Sequence, residues 1–185
     1  MRSIVFATLC AAALAPLPAA AQDLSVYRAN GAQIMPRPAP SRATTAALQS
    51  TLYDLIGLQQ NIQQLHWNVT GPTFYSTHEM LGDFYKTVAG YVDLVAERNR
   101  ALGVPVDGRP SAVAANSKVP EMAFAKTRDA EGIKTLSMAF KRESDSLYER
   151  IDAVEKDDPV TANMLQEIAH DIDKQMWMLR AHQEG

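Results

Sequence analysis

Four stretches in which apolar residues return every three, four or seven positions constrain this chain more than anything else in it, because a helix that is apolar along one stripe has to bury that stripe. The first, about residues 44 to 66, carries Leu48, Leu52, Leu55 and Ile62, and the second, about 76 to 102, carries Leu81, Phe84, Val88, Tyr91 and Val95. The third, about 130 to 156, places Ile133, Phe140, Leu147 and Val154 seven residues apart, and the fourth, about 159 to 182, carries Leu165, Ile168, Ile172, Met176 and Leu179. Such helices bury one core as an all-α four-helix bundle. The second ends at Gly103 and Pro105, and the segment that follows, 103-GVPVDGRPSAVAANSKVPEMA-123, is too long for a hairpin loop. It predicts a long crossover between the second and third helices, with a short helix of its own near residues 110 to 115.

The amino end reads differently. Arg2 precedes an apolar run from Ile4 to Leu17, and Ala19, Ala20 and Ala21 close it with the small residues that a signal peptidase reads. Residues 1–21 are therefore expected to be a secretory signal peptide, 22–43 an N-terminal extension whose prolines favour an extended tether, and 44–185 the folded domain. No later stretch approaches the roughly 18 to 20 consecutive apolar residues of a membrane span. Cys10, the only cysteine, would leave with the signal, so the mature protein is expected to be exported, periplasmic and free of disulfides. Losing the signal removes Arg2 and no acid, which takes the formal charge from −3 to −4. The extension holds three arginines and no lysine. A protein that grips phosphate backbones normally carries a basic patch or tail, so DNA binding is not expected.

Residues able to carry chemistry concentrate in 65-LHWNVTGPTFYSTHEMLGDFYKTVAGYVDLVAERNRALG-103. The imidazoles of His66 and His78 and the carboxylates of Asp93 and Glu97 form a donor set suited to one metal site. Asp93 and Glu97 lie four residues apart on the second helix and so project from one face. His78 is separated from Asp93 by about 22 Å of helix, so one ion is held by all of these residues only if two subunits share it. At about 100° per residue, His78, Asp93 and Glu97 fall on an arc away from the apolar stripe, together with the small residues Gly82 and Ala89, which would let a symmetric subunit approach. The alternative for the two carboxylates is a solvated acidic face, and for His66, in line with the first apolar stripe, a buried histidine with satisfied hydrogen bonds.

The pattern LHWN followed by THEML, with the second histidine twelve residues after the first, resembles the Dps family, the miniature ferritins of bacteria. So do 93-DLVAERNRALG-103 and 161-TANMLQEIAHDIDKQMWMLRAHQE-184, and the likeness covers most of the mature chain. The resemblance implies a ferritin-like four-helix bundle with a short helix in the long connection, assembled as a homo-oligomeric shell of twelve subunits. It implies a ferroxidase that oxidises Fe²⁺, preferentially with hydrogen peroxide, and stores the ferric product. It places the iron site at a twofold interface, with His66 and His78 on one subunit and Asp93 and Glu97 on the other. The family usually has an Asp four residues after the second histidine, where this chain has Gly82. Asp83 follows directly but is turned by about 100°, which puts the second iron position in question more than the first. Trp67, beside the site in sequence, is either a sink for oxidising equivalents or a packing residue. Asp157 and Asp158, in the turn 155-EKDDP-159, are either a solvated helix end or, by the resemblance, acids near a threefold pore that draw cations inward.

Three functions follow for testing. The first is an enzyme, a ferroxidase and iron store that protects against oxidative stress, with iron as its metal. The second is a cage or surface protein with the fold but little catalysis, which Gly82 makes credible. The third is DNA protection by binding, against which the missing lysine-rich tail and the export signal both count.

Overall fold

The computed structural model describes residues 39–184; the expected signal peptide, and the extension as far as residue 38, lie outside the described residues. Helix α1 (Arg42–Asn68) opens on Ser41, whose Oγ accepts from the Thr44 N–H at 3.1 Å and so satisfies one of the donors that a helix start leaves free. Helices α2 (Phe74–Ala101), α3 (Pro110–Asn116), α4 (Asp129–Val154) and α5 (Pro159–Ala181) complete the bundle, each within two residues of the ends that the periodicity predicts. The chain packs as two hairpins, α1 with α2 and α4 with α5, with α4 also lying against α1 and the crossover helix α3 resting on α1. The expected stripes form the core: Leu55, Ile62, Leu81, Val88, Leu147 and Ile168 are fully buried. Phe84 and Phe140 meet across the hairpins with ring centroids 5.7 Å apart. Among the described residues no helix is long and apolar enough to cross a membrane.

The crossover has little regular backbone pairing of its own, and its polar groups need partners elsewhere. Helix α1 supplies them from side chains on its flank. Gln49 donates to the Asp107 carbonyl at 2.9 Å and accepts from the Asp107 N–H at 3.0 Å. Asp54 accepts from the Lys118 N–H at 2.6 Å, and Asn61 donates to the Pro120 carbonyl at 2.7 Å while accepting from the Met122 N–H at 2.9 Å. One pairing was not foreseen from the sequence: the two-residue strands β1 (Val69–Thr70) and β2 (Thr127–Arg128) run parallel and tie the end of α1 to the start of α4.

The turn before α5 corrects one expectation. Asp158 is buried rather than presented to a channel: it caps α5, accepting from the Thr161 N–H at 3.1 Å, and it pairs with Arg98 Nη2 at 2.9 Å. Burial pushes its carboxyl up, but the hydrogen bonds from Thr161 and the Arg98 charge outweigh that and hold it below the ordinary range. Both oxygens are committed to joining α2 and α5, which leaves Asp157, exposed beside it, as the only acid of the pair open to solvent.

A second buried charge group crosses the core. Arg150 of α4 pairs with Asp54 of α1, while Glu143 Oε1 stands 3.8 Å from Arg150 Nη1, beyond hydrogen-bond reach. Glu143 is 0% exposed, and neither of its carboxyl oxygens has a hydrogen-bond partner. Burial therefore drives its pKa well above 4.5, against the opposing pull of Arg150. The folded chain keeps this proton after the unfolded chain has lost it. The stability associated with it is full below about pH 4.5 and is lost as pH rises through the folded value, at up to about 1.4 kcal/mol per pH unit. Glu143→Gln, which carries no titrating proton, should show a flatter dependence of the urea midpoint on pH and exceed the parent protein at neutral pH. Parallel pH profiles for the two proteins would show that Glu143 ionises in the fold at little cost.

Candidate metal centre

The site begins at the turn between α1 and α2. Gly71 there has φ +129°, a backbone conformation that L side chains rarely adopt, and a Cβ on it would stand 2.6 Å from the Asp129 carboxylate. Only glycine lets the turn settle against the first residue of α4. Asp129 Oδ2 accepts from the Thr73 N–H at 2.8 Å and from the Thr73 hydroxyl at 2.7 Å, while Oδ1 accepts from the Ala130 N–H at 2.9 Å. The Thr73 hydroxyl and backbone hydrogen bonds hold the Asp129 carboxyl below its ordinary range. This brace, with β1 on β2, fixes how the end of α1 meets the start of α2.

At that meeting His66 and His78 stack, ring centroids 3.7 Å apart and 19° from coplanar. Their contacts are reciprocal: Nδ1 of His66 lies 2.9 Å from the His78 carbonyl, and Nδ1 of His78 lies 3.0 Å from the His66 carbonyl. A carbonyl oxygen only accepts, so each Nδ1 must carry the hydrogen. In the neutral ring the lone pair then sits on Nε2, the state in which an imidazole ligates a metal. The His66 carbonyl belongs to the last turn of α1, where helix carbonyls have no intrahelical donor, and His78 satisfies it. Neither histidine belongs to the core. The α1 stripe ends at Leu65, and His66 is half-buried one residue beyond it.

A cleft of about 330 Å³ opens over this pair, lined by Gln63, His66, Trp67, His78, Glu79, Gly82, Asp83, Tyr85 and Lys86. Gly82 faces His66 directly: a Cβ built there would lie 3.5 Å from His66 Cε1, an ordinary van der Waals contact. Asp83 does not take its place. Its carboxylate pairs with Lys86 Nζ at 3.1 Å, and both side chains are more than three-quarters exposed. Trp67 is 66% exposed and packs into no core of its own chain.

Asp93 and Glu97 lie further along α2, exposed on the side away from the buried stripe. One continuous helix separates them from His78, so the chain brings the histidines together and keeps the acids apart from them. Among the described residues no three His, Cys, Asp or Glu side chains of one chain converge on a metal-sized point. Sequence reasoning singled out the four candidate donors but missed the brace at Asp129 and the reciprocal histidine bonds. No local pattern encodes either, since each joins residues that only the fold makes neighbours. Lys86, one turn beyond Gly82, was visible in the sequence and was not singled out.

Comparison with known proteins shows what the chain as a whole is similar to. Residues 45–184 match the model of the ferritin-like domain. DNA protection during starvation protein 2 of Deinococcus radiodurans is 39% identical over 140 residues, 76% of this chain, and the match spans only 58% of that relative's length. The corresponding starvation protein of Mycolicibacterium smegmatis is 29% identical over 138 residues, 75% of each chain. Among solved structures, Dps92 of Deinococcus radiodurans superposes with a TM-score of 0.74 at 38% identity, covering 76% of this chain and 85% of that one. The high-iron form of Dps from Microbacterium arborescens gives a TM-score of 0.77 at 28% identity, covering 82% and 99%. A ferritin-like bundle with a long crossover, a histidine pair at the first turn and these relatives together mean that the chain belongs to the Dps family.

Proposed function

We propose that this protein is a ferroxidase and iron store, oxidising Fe²⁺ with hydrogen peroxide at a site shared between two subunits of a twelve-subunit shell. The observation that carries the reading is the histidine pair, whose reciprocal hydrogen bonds leave both Nε2 atoms with a lone pair on rings that line one cleft. Imidazole and carboxylate suit iron in both oxidation states. Asp93 and Glu97, exposed on the far part of α2, reach those histidines only across a twofold axis. Small and apolar residues on the same side of α2 favour such an approach, Gly90 having nothing within 4 Å of its Cβ position and Leu94 being exposed.

Ferrous iron and peroxide are the substrates. One peroxide molecule accepts two electrons, one from each of two ferrous ions, and with two protons leaves as water while both irons become ferric. The chain's share is to hold the ions side by side, with the histidines on one flank and the carboxylates on the other neutralising the charge that grows as iron is oxidised. Trp67 and Tyr85, oxidisable rings in the cleft, stand close enough to intercept a stray oxidising equivalent. Asp157 remains a candidate for cation entry at a threefold pore. Export completes the reading, with a mature chain that begins at Gln22.

Three outcomes are expected. Replacing both Asp93 and Glu97 by Ala should abolish rapid peroxide-dependent Fe²⁺ oxidation in a protein of unchanged helicity, and light scattering on the unmodified protein should find the shell; normal rates in the folded double variant, or a monomer at micromolar concentration, would overturn the shared site. In long-range ¹⁵N–¹H spectra of the metal-free protein both imidazoles should be Nδ1–H tautomers, and an Nε2–H tautomer at either position would remove that ring as a ready ligand. Sequencing the secreted protein should begin at Gln22, while retention of Met1 in the soluble product would overturn export.

A further inference from the structure

Resting on that reading of the metal centre, we propose that the site takes up a small planar oxyanion, a carboxylate or bicarbonate, together with its second metal ion. The anion occupies the space beside Gly82 and bridges the metal to Lys86.

Four observations point there. The flank of His66 at Gly82 is bare, with room for a side chain at ordinary contact distance and none present. The nearest carboxylate of the same helix, Asp83, is tied to Lys86 and turned about 100° around the axis. Lys86 itself lines the cleft and stands one helical turn from Gly82, so its ammonium group is within reach of the open position once it turns from Asp83. Its pairing with Asp83 is solvent-exposed on both sides and so only a weak restraint on turning inward.

Charge gives the direction of the effect. Without metal the cleft has Glu79 and Asp83 against one lysine, and the facing Asp93 and Glu97 add to the negative side, so an anion is repelled. Two divalent ions bring twice the positive charge that Asp93 and Glu97 neutralise. An anion then becomes a favourable ligand. Anion and second metal are thus mutually dependent, each raising the affinity for the other by the same factor.

The test uses the assembled mature protein with Zn²⁺, which shares these donors and does not change oxidation state, and formate as the anion. In oxyanion-free buffer calorimetry should find one Zn²⁺ bound tightly per site and a second weakly. Formate should tighten the second by about tenfold, within the usual range of such coupling, and ¹³C-formate should show binding only when Zn²⁺ is present. Gly82→Asp should bind the second Zn²⁺ tightly without formate and no longer respond to it, and Lys86→Gln should shrink the formate response. A parent protein indifferent to formate, or a Gly82→Asp variant with an undiminished response, would overturn the proposal. Should the Asp93→Ala, Glu97→Ala double variant bind Zn²⁺ as well as the parent, the metal-centre reading itself fails; loss of the formate effect alone leaves that reading standing.

Discussion

Helix α2 is buried along one side only, and the rest of the molecule is arranged by that limit. Leu81, Phe84, Val88 and Val95 fill the core from one arc, each of the larger side chains contributing about 1.5 to 3 kcal/mol by leaving water. A helix turning about 100° per residue cannot also present the opposite arc to the same core. His78, Gly82, Lys86, Asp93 and Glu97 are therefore directed outward by the residues that stabilise the fold. The separation of the candidate metal donors from the hydrophobic core is one consequence of helix geometry, and so is the distance between the histidine end of α2 and its acidic end.

What holds the histidine end in register is polar. Asp129 accepts three hydrogen bonds from the turn and from its own helix, and β1 pairs with β2 immediately beside it. These bonds tie the first hairpin to the second at the place where the imidazoles stack. Charged acceptors of this kind are stronger than neutral ones, and they constrain the direction of the chain in a way that apolar contact does not. At the other end of the bundle Asp158 and Arg98 perform the same task between α5 and α2. In each case an acid close to a helix start caps or braces rather than binds.

The fold was legible because its information is periodic. Stripes such as Ile133, Phe140, Leu147 and Val154 repeat at the spacing of a buried helix face, and all four are buried. Candidate donors were legible by residue type and spacing as well. The histidine orientation was not, because the bonds that set it join residues twelve positions apart through backbone carbonyls, whose availability depends on where α1 happens to end. Asp158 misled for a related reason: an acid in a charged turn looks solvated until the arginine sixty residues earlier is known to lie against it. Asp54 and Glu143 escaped notice because a buried acid at helical spacing has no signature apart from its neighbours.

Gly82 and Gly90 share the outward arc of α2, and neither is required by its own chain. A Cβ at Gly90 meets nothing, and one at Gly82 meets His66 only at normal contact distance. Each nonetheless costs about 0.8 to 1 kcal/mol of helix stability relative to alanine. Gly71 is different, because its positive φ and the nearness of Asp129 exclude every other residue. Two unforced glycines on one face of a long helix are an expense that folding of the single chain does not explain. In the proposed shared site such small residues would permit close approach of another helix and leave the histidine flank open. On that proposal the helix stability forgone at Gly82 and Gly90 is offset in the assembly rather than in the single chain.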